Sequence, residues 1–159
     1  MGFADDANAL IQEKKFDDLE SLWMNQIEND PKDVEAFLRT AKSLRKSEQR
    51  TQSDTLLGML AEMLLERKMW PERLQVLKEM GRLTKHPAQI RPQIEQALRN
   101  AYSSRRSFQR AFDFAGFNDP SSNPVERAEK IETWASSGSI TPMIFWIARR
   151  WTHAPQLSK

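Results

Sequence analysis

The chain has 159 residues, 39% of them apolar and 29% charged, with no cysteine and a net charge of +2. That length supports one compact domain and is short for two full ones, and the missing sulfur excludes disulfide-stapled secreted folds, paired-thiol redox enzymes and thiolate zinc fingers. The near-zero charge hides a segregation: residues 1–35 carry ten acids against three lysines, a net of −7, residues 36–110 carry sixteen bases against seven acids, a net of +9, and the remainder balances.

Periodicity reads as helix through most of the chain. Phe3, Ala7, Leu10 and Ile11 recur at three- and four-residue steps and predict a first helix that ends near Lys14 and Lys15, cations suited to a helix C-terminus. A second, from about Phe16, turns Phe16, Leu19, Leu22, Trp23 and Ile27 inward and stops at Asn29-Asp30-Pro31. Asp17, Asp18 and Glu20 stand in its first turn, where the macrodipole favours anions. Asp30 as N-cap and Pro31 as first helical residue predict an immediate third helix burying Val34, Phe37, Leu38, Ala41 and Leu44.

After the partly turn-like stretch KSEQRTQSD, the stripe Leu56, Leu57, Met59, Leu60, Met63, Leu64 and Leu65 predicts a fourth helix. Gly58 within it lowers helix propensity, which suggests a close helix contact there. Trp70-Pro71 opens a fifth helix with Leu74, Leu77, Met80 and Leu83, ended by His86-Pro87. A sixth carries Ile90, Ile94, Leu98 and Ala101, with Pro92 in or near its first turn. Ser107 is a candidate cap for a short helix of Phe108, Ala111, Phe112 and Phe114, and Gly116 for its C-terminus. NDPSSNP is the clearest loop; Asn123-Pro124 then starts a helix with Val125, Ala128, Ile131 and Trp134, broken by SSGS at 136–139. The run MIFWIARRW after Thr141-Pro142 fits a helix or a short buried strand, helix being the preferred reading.

Phe3, Ala7 and Leu10 correspond at an offset of 34 residues to Phe37, Ala41 and Leu44, a period that belongs to tetratricopeptide arrays. The small alanines let one helix sit close to its partner, whose inward face is Phe16, Leu19 and Trp23. The echo fades after the second unit, where the same offset puts Gln75 in place of the alanine and Leu65 in place of the loop proline. The expected fold is therefore all-α, with antiparallel helical hairpins stacked as a short tetratricopeptide-like solenoid over residues 1–135. Residues 136–159 are expected to be a C-terminal apolar segment, helix or short strand, with that domain as the surface for it to pack on.

Chemistry-bearing constellations are absent. His86 and His153 have no second ligand at metal spacing, glycines 2, 58, 81, 116 and 138 are scattered singly, so no phosphate-cradling loop exists, and Asp5-Asp6 and Asp17-Asp18 suit helix N-terminal turns. The expectation is a chain with no catalysis, no cofactor and no metal. Basic residues draw more attention: Arg39, Lys42, Arg45 and Lys46 share one face of the third helix, and Arg99, Arg105, Arg106 and Arg110 cluster near Tyr102 and Phe108. Arginine interleaved with aromatics can grip phosphates and stack on bases, although a charged face opposite an apolar stripe is also what any amphipathic helix has. Arg149-Arg150 between Trp146 and Trp151 fits an anchor for a partner or a membrane surface, but the preferred reading makes the tryptophans core, or a patch covered by something outside the chain. The longest apolar run, Met143–Ala148, is far short of the roughly twenty residues of a bilayer crossing. The amino end carries aspartates in place of a signal peptide's positive charge, so a cytoplasmic location is expected.

The stretch LIQEKKFDDLESLWMNQIENDPKDVEAFLRTAKSL, followed by LLGMLAEMLLERKMWPERLQVLKEMGRL, then SFQRAFDFAGF and VERAEKIETW, resembles the helical amino-terminal extension of long bacterial GreA-type transcript cleavage factors, over roughly residues 6–135. In that family a separate coiled coil with an acidic tip acts on stalled RNA polymerase, beside a docking domain. Neither pattern occurs in this sequence, so no cleavage-stimulating residue carries over. What the resemblance implies is an accessory helical module acting in transcription through RNA polymerase or another protein. Function is thus expected to be protein interaction, with nucleic-acid binding on the basic 36–110 surface as the alternative.

Overall fold

A computed structural model describes residues 2–137, and all regular elements among them are helical. They are α1 (Phe3–Gln12), α2 (Phe16–Asn29), α3 (Val34–Lys46), α4 (Arg50–Glu66), α5 (Trp70–Leu83), a 3-10 turn (Pro87–Ile90), α6 (Arg91–Tyr102), α7 (Phe108–Ala115) and α8 (Pro124–Ser137). The chain divides at residue 80 into two compact units, 1–80 and 81 onward. The expectations for the C-terminal segment from residue 138 on, its packing on the helical domain, the helix or strand at 141–151, His153 and the arginines between Trp146 and Trp151, lie outside the described residues.

In the first unit α1 packs on α2 and α3, α3 on α4, and α2 on α4. The expected inward residues Ala7, Ile11, Leu19, Trp23, Ile27, Val34, Phe37, Ala41 and Leu44 are buried. At the centre Trp23 and Phe37 meet edge to face with ring centroids 4.8 Å apart, and Phe3 closes the cluster 5.0 Å from Phe37 and 6.1 Å from Trp23. The two aromatics 34 residues apart thus share one tryptophan. The small side chain of Ala41 lets α4 approach until the buried Ser53 hydroxyl donates to the Ala41 carbonyl at 3.0 Å.

The repeat extends to the backbone. Helix ends at Gln12 and Lys46, left-handed residues at Lys14 and Glu48, and helix starts at Phe16 and Arg50 are all 34 residues apart. Both turns close in one way: the left-handed residue donates back to Ile11 or Arg45, and the next residue donates to Leu10 or Leu44. This is the Schellman pattern, which satisfies carbonyls that a helix end leaves free. The α4–α5 turn repeats it with Lys68 left-handed. None of the three residues is a glycine, so the pattern has no glycine signature in the sequence.

Local expectations are corrected in three places. The third helix does not start at Asp30-Pro31; Asp30 accepts from the Lys32 N–H in a tight turn, and Asp33 is the N-cap, accepting from Ala36 N–H at 3.3 Å. Ser107 precedes α7 in a left-handed conformation and makes no side-chain capping bond. Gly58 has open space where a Cβ would stand, so no close contact requires it. Elsewhere the local chemistry holds: Asn123 accepts from the N–H groups of Val125 and Glu126 at the start of α8, and Gly116 ends α7 with φ +68°.

In the second unit α8 packs on α6, α7 and the 3-10 turn. Its core holds Ile94, Leu98, Phe108, Phe112, Phe117, Ile131 and Trp134. The close helix approach in this unit is at Gly81, where a Cβ would lie 2.5 Å from Val125 Cγ2.

Candidate functional site

The eight basic residues singled out by pattern divide between the two units. Arg39, Lys42, Arg45 and Lys46 lie on α3; Arg99 is on α6, Arg105 and Arg106 in the turn after it, and Arg110 on α7. Arg45 leans toward α4 and pairs with Asp54 at 2.6 Å. Lys42 and Lys46 are exposed. Arg39 stands across a gap from α1.

Two of the four second-unit arginines, Arg99 and Arg105, serve the fold. Arg99 pairs with Glu95 at 3.0 Å and lies over the Phe112 ring at 4.5 Å, with Phe108 at 5.9 Å. Arg105 donates to the Ala135 carbonyl and lies over Tyr102. Arg110 stands 6.0 Å over Phe114, which is 37% exposed. Arg106 is exposed. The interleaving of arginine and aromatic seen in the sequence is therefore mostly intramolecular cation–π packing.

A cleft of about 220 Å³ opens in the first unit between α1 and α3. Ala4, Asp5, Asn8 and Ile11 form one wall, and Arg39, Thr40 and Ser43 the other. Helical periodicity brings these together, since positions three and four apart share a face, and the small residues Ala4 and Ser43 leave the gap. Ile11 is buried at its base, and Thr40 bonds its own helix at the Ala36 carbonyl. Asp5, Asn8, Arg39 and Ser43 have no side-chain hydrogen bond or ion pair among the described residues. An anion, an amide, a cation and a hydroxyl thus face one small space with their bonding capacity free.

Of the wall residues, sequence pattern singles out Arg39 as basic and Asp5 as a helix-start acid. It misses Asn8 and Ser43, because a lone amide or hydroxyl on a helix has no signature until a second helix stands opposite. It misses Arg91 and Arg73 too. Arg91 donates to the Phe117 and Ser122 carbonyls, the latter at 2.6 Å, and so holds the NDPSSNP loop. Arg73 is buried and donates to the Ala61 carbonyl; burial lowers its pKa, with Glu62 opposing. Lys15 is shifted the other way by its hydrogen bond to Glu13 and that residue's charge. Neither Arg73 nor Lys15 lines the cleft. No group of three or more metal-ligating side chains occurs among the described residues, and no helix among them is long and apolar enough to cross a membrane.

No protein-family model, curated protein or solved structure matches the chain.

Proposed function

We propose that the chain is a non-enzymatic protein-interaction module in which α1–α4 are two stacked tetratricopeptide-like hairpins and the α1–α3 cleft receives the partner. The observation that carries this reading is the cleft itself, lined by four polar side chains that no described residue engages. The 34-residue recurrence of helix ends, left-handed turns and helix starts supports the hairpin arrangement. RNA polymerase is the partner to try first, on the sequence resemblance to the helical extension of GreA-type factors. The nucleic-acid reading draws less support, because Arg99 and Arg105 are committed to internal contacts.

A photo-crosslinking residue placed at Ser43 in the full chain tests the proposal in bacterial extract, with the exposed Glu28 of α2 as a control position. The expected result is a protein adduct at Ser43 and none at Glu28, with RNA polymerase subunits sought among the adducts. Equal labelling at both positions, or adducts with nucleic acid alone, overturns the reading.

A further inference from the structure

We infer that the α1–α3 cleft takes an extended peptide bearing one acidic and one basic side chain, the acidic one held by Arg39 and the basic one by Asp5. The inference deepens the protein-interaction reading and rests on it. It starts from polarity: the two walls carry charges of opposite sign, Asp5 on α1 and Arg39 on α3, and neither is neutralised within the described residues. Beyond the cleft Asp6 is exposed on α1, and α3 carries the exposed bases Lys42 and Lys46 against one exposed acid, Glu35, one turn before Arg39. A ligand of one sign meets repulsion from one wall, so a polyphosphate chain that satisfies Arg39 is opposed by Asp5. A peptide with adjacent opposite charges satisfies both.

The uncharged groups select the same class. Asn8, one turn from Asp5, offers a donor and an acceptor on a single amide, the complement of a peptide main-chain N–H and C=O. Ser43, one turn from Arg39, offers a hydroxyl that either donates or accepts. Size agrees as well: about 220 Å³ is below the roughly 300–1,000 Å³ of pockets that enclose small molecules. An open cleft of that size suits a strand laid along it, with two side chains and the main chain between them in contact.

The test uses the full chain and short fluorescent peptides that place one Glu and one Lys at varied separation in a Gly-Ser-Ala background, in both chain orders, read by polarisation. One order and one separation are expected to bind best, with affinity falling as salt is raised. Arg39→Glu and Asp5→Lys are each expected to weaken that peptide by roughly tenfold or more. The double exchange Asp5→Arg with Arg39→Asp is expected to restore binding and to reverse the preferred order. Both positions are exposed, and circular dichroism checks that each variant keeps its helices. Peptides that bind without regard to order, or with affinity unchanged in the variants, overturn the inference. If the Ser43 crosslink to protein persists in that case, the interaction reading stands and only the dipolar specificity falls; if both fail, both fall.

Discussion

A Cβ added at Gly58 meets no atom within 4 Å, whereas one added at Gly81 stands 2.5 Å from Val125 Cγ2. Both glycines are helical, and in an exposed helix interior alanine is better than glycine by about 1 kcal/mol. Gly58→Ala is therefore expected to stabilise the protein by about 1 kcal/mol in urea unfolding. Gly81→Ala is expected to destabilise it despite the gain in propensity, since α5 or Val125 must shift. Equal effects at the two positions would contradict this packing. Trp23 is fully buried between Phe3 and Phe37, and truncation to Ala leaves a cavity no neighbour fills. Trp23→Ala is expected to cost about 3–5 kcal/mol in the same measurement; a loss within error would show that the three-ring cluster is not the centre of the unit.

The elements end by two different devices. Gly116 and Asn123 follow the rules for a C-cap and an N-cap, and their residue types announce it. Lys14, Glu48 and Lys68 end α1, α3 and α4 in the left-handed region, where a side chain is unfavourable and glycine is not. Glu48→Gly is expected to stabilise by about 0.5–1 kcal/mol, the relief of that penalty less the extra freedom glycine has when unfolded. Thermal melting checks the sign, and a lower melting temperature would mean that the Glu48 side chain makes a contribution larger than the strain. The loop before α8 is held differently, by one guanidinium. Arg91→Ala is expected to cost about 2 kcal/mol and to loosen residues 117–122 in hydrogen exchange, because several charge-assisted bonds go at once. Arg91→Lys should not recover it, since a single ammonium does not reproduce the planar fork that reaches both Phe117 and Ser122.

At the level of the whole chain, the division at residue 80 separates two cores with different characters. The first is aliphatic around one aromatic cluster; the second is rich in phenylalanine and braced by arginine. A fragment spanning 1–83, which keeps α1–α5 whole, is expected to give a helical circular dichroism spectrum and a cooperative melt followed by the fluorescence of Trp23 and Trp70. A featureless spectrum would mean that the first unit does not carry its own core. The charge segregation along the sequence acquires a location as well. The surplus acids lie on α1, α2 and the turn before α3, while basic residues predominate from α3 to the start of α7.

Helix existence and inward faces are legible in the amino-acid sequence alone, because they depend on period and composition within a few turns: the buried residues of α1, α2, α3 and α6 are largely those the spacing indicates. The echo of Phe3, Ala7 and Leu10 in Phe37, Ala41 and Leu44 is legible for the same reason, and the backbone turns repeat at the same interval. What pattern does not assign is the work of residues whose partners are distant along the chain. Arg91 reaches a loop 26 to 31 residues away, Arg105 reaches Ala135, 30 residues away, and Gly81 answers to Val125. A long guanidinium stem or a missing Cβ carries no address in its own neighbourhood. The cleft belongs to this second kind: Asp5, Asn8, Arg39 and Ser43 are ordinary helix-surface residues until α1 and α3 pack together, and their opposition is set by that packing alone.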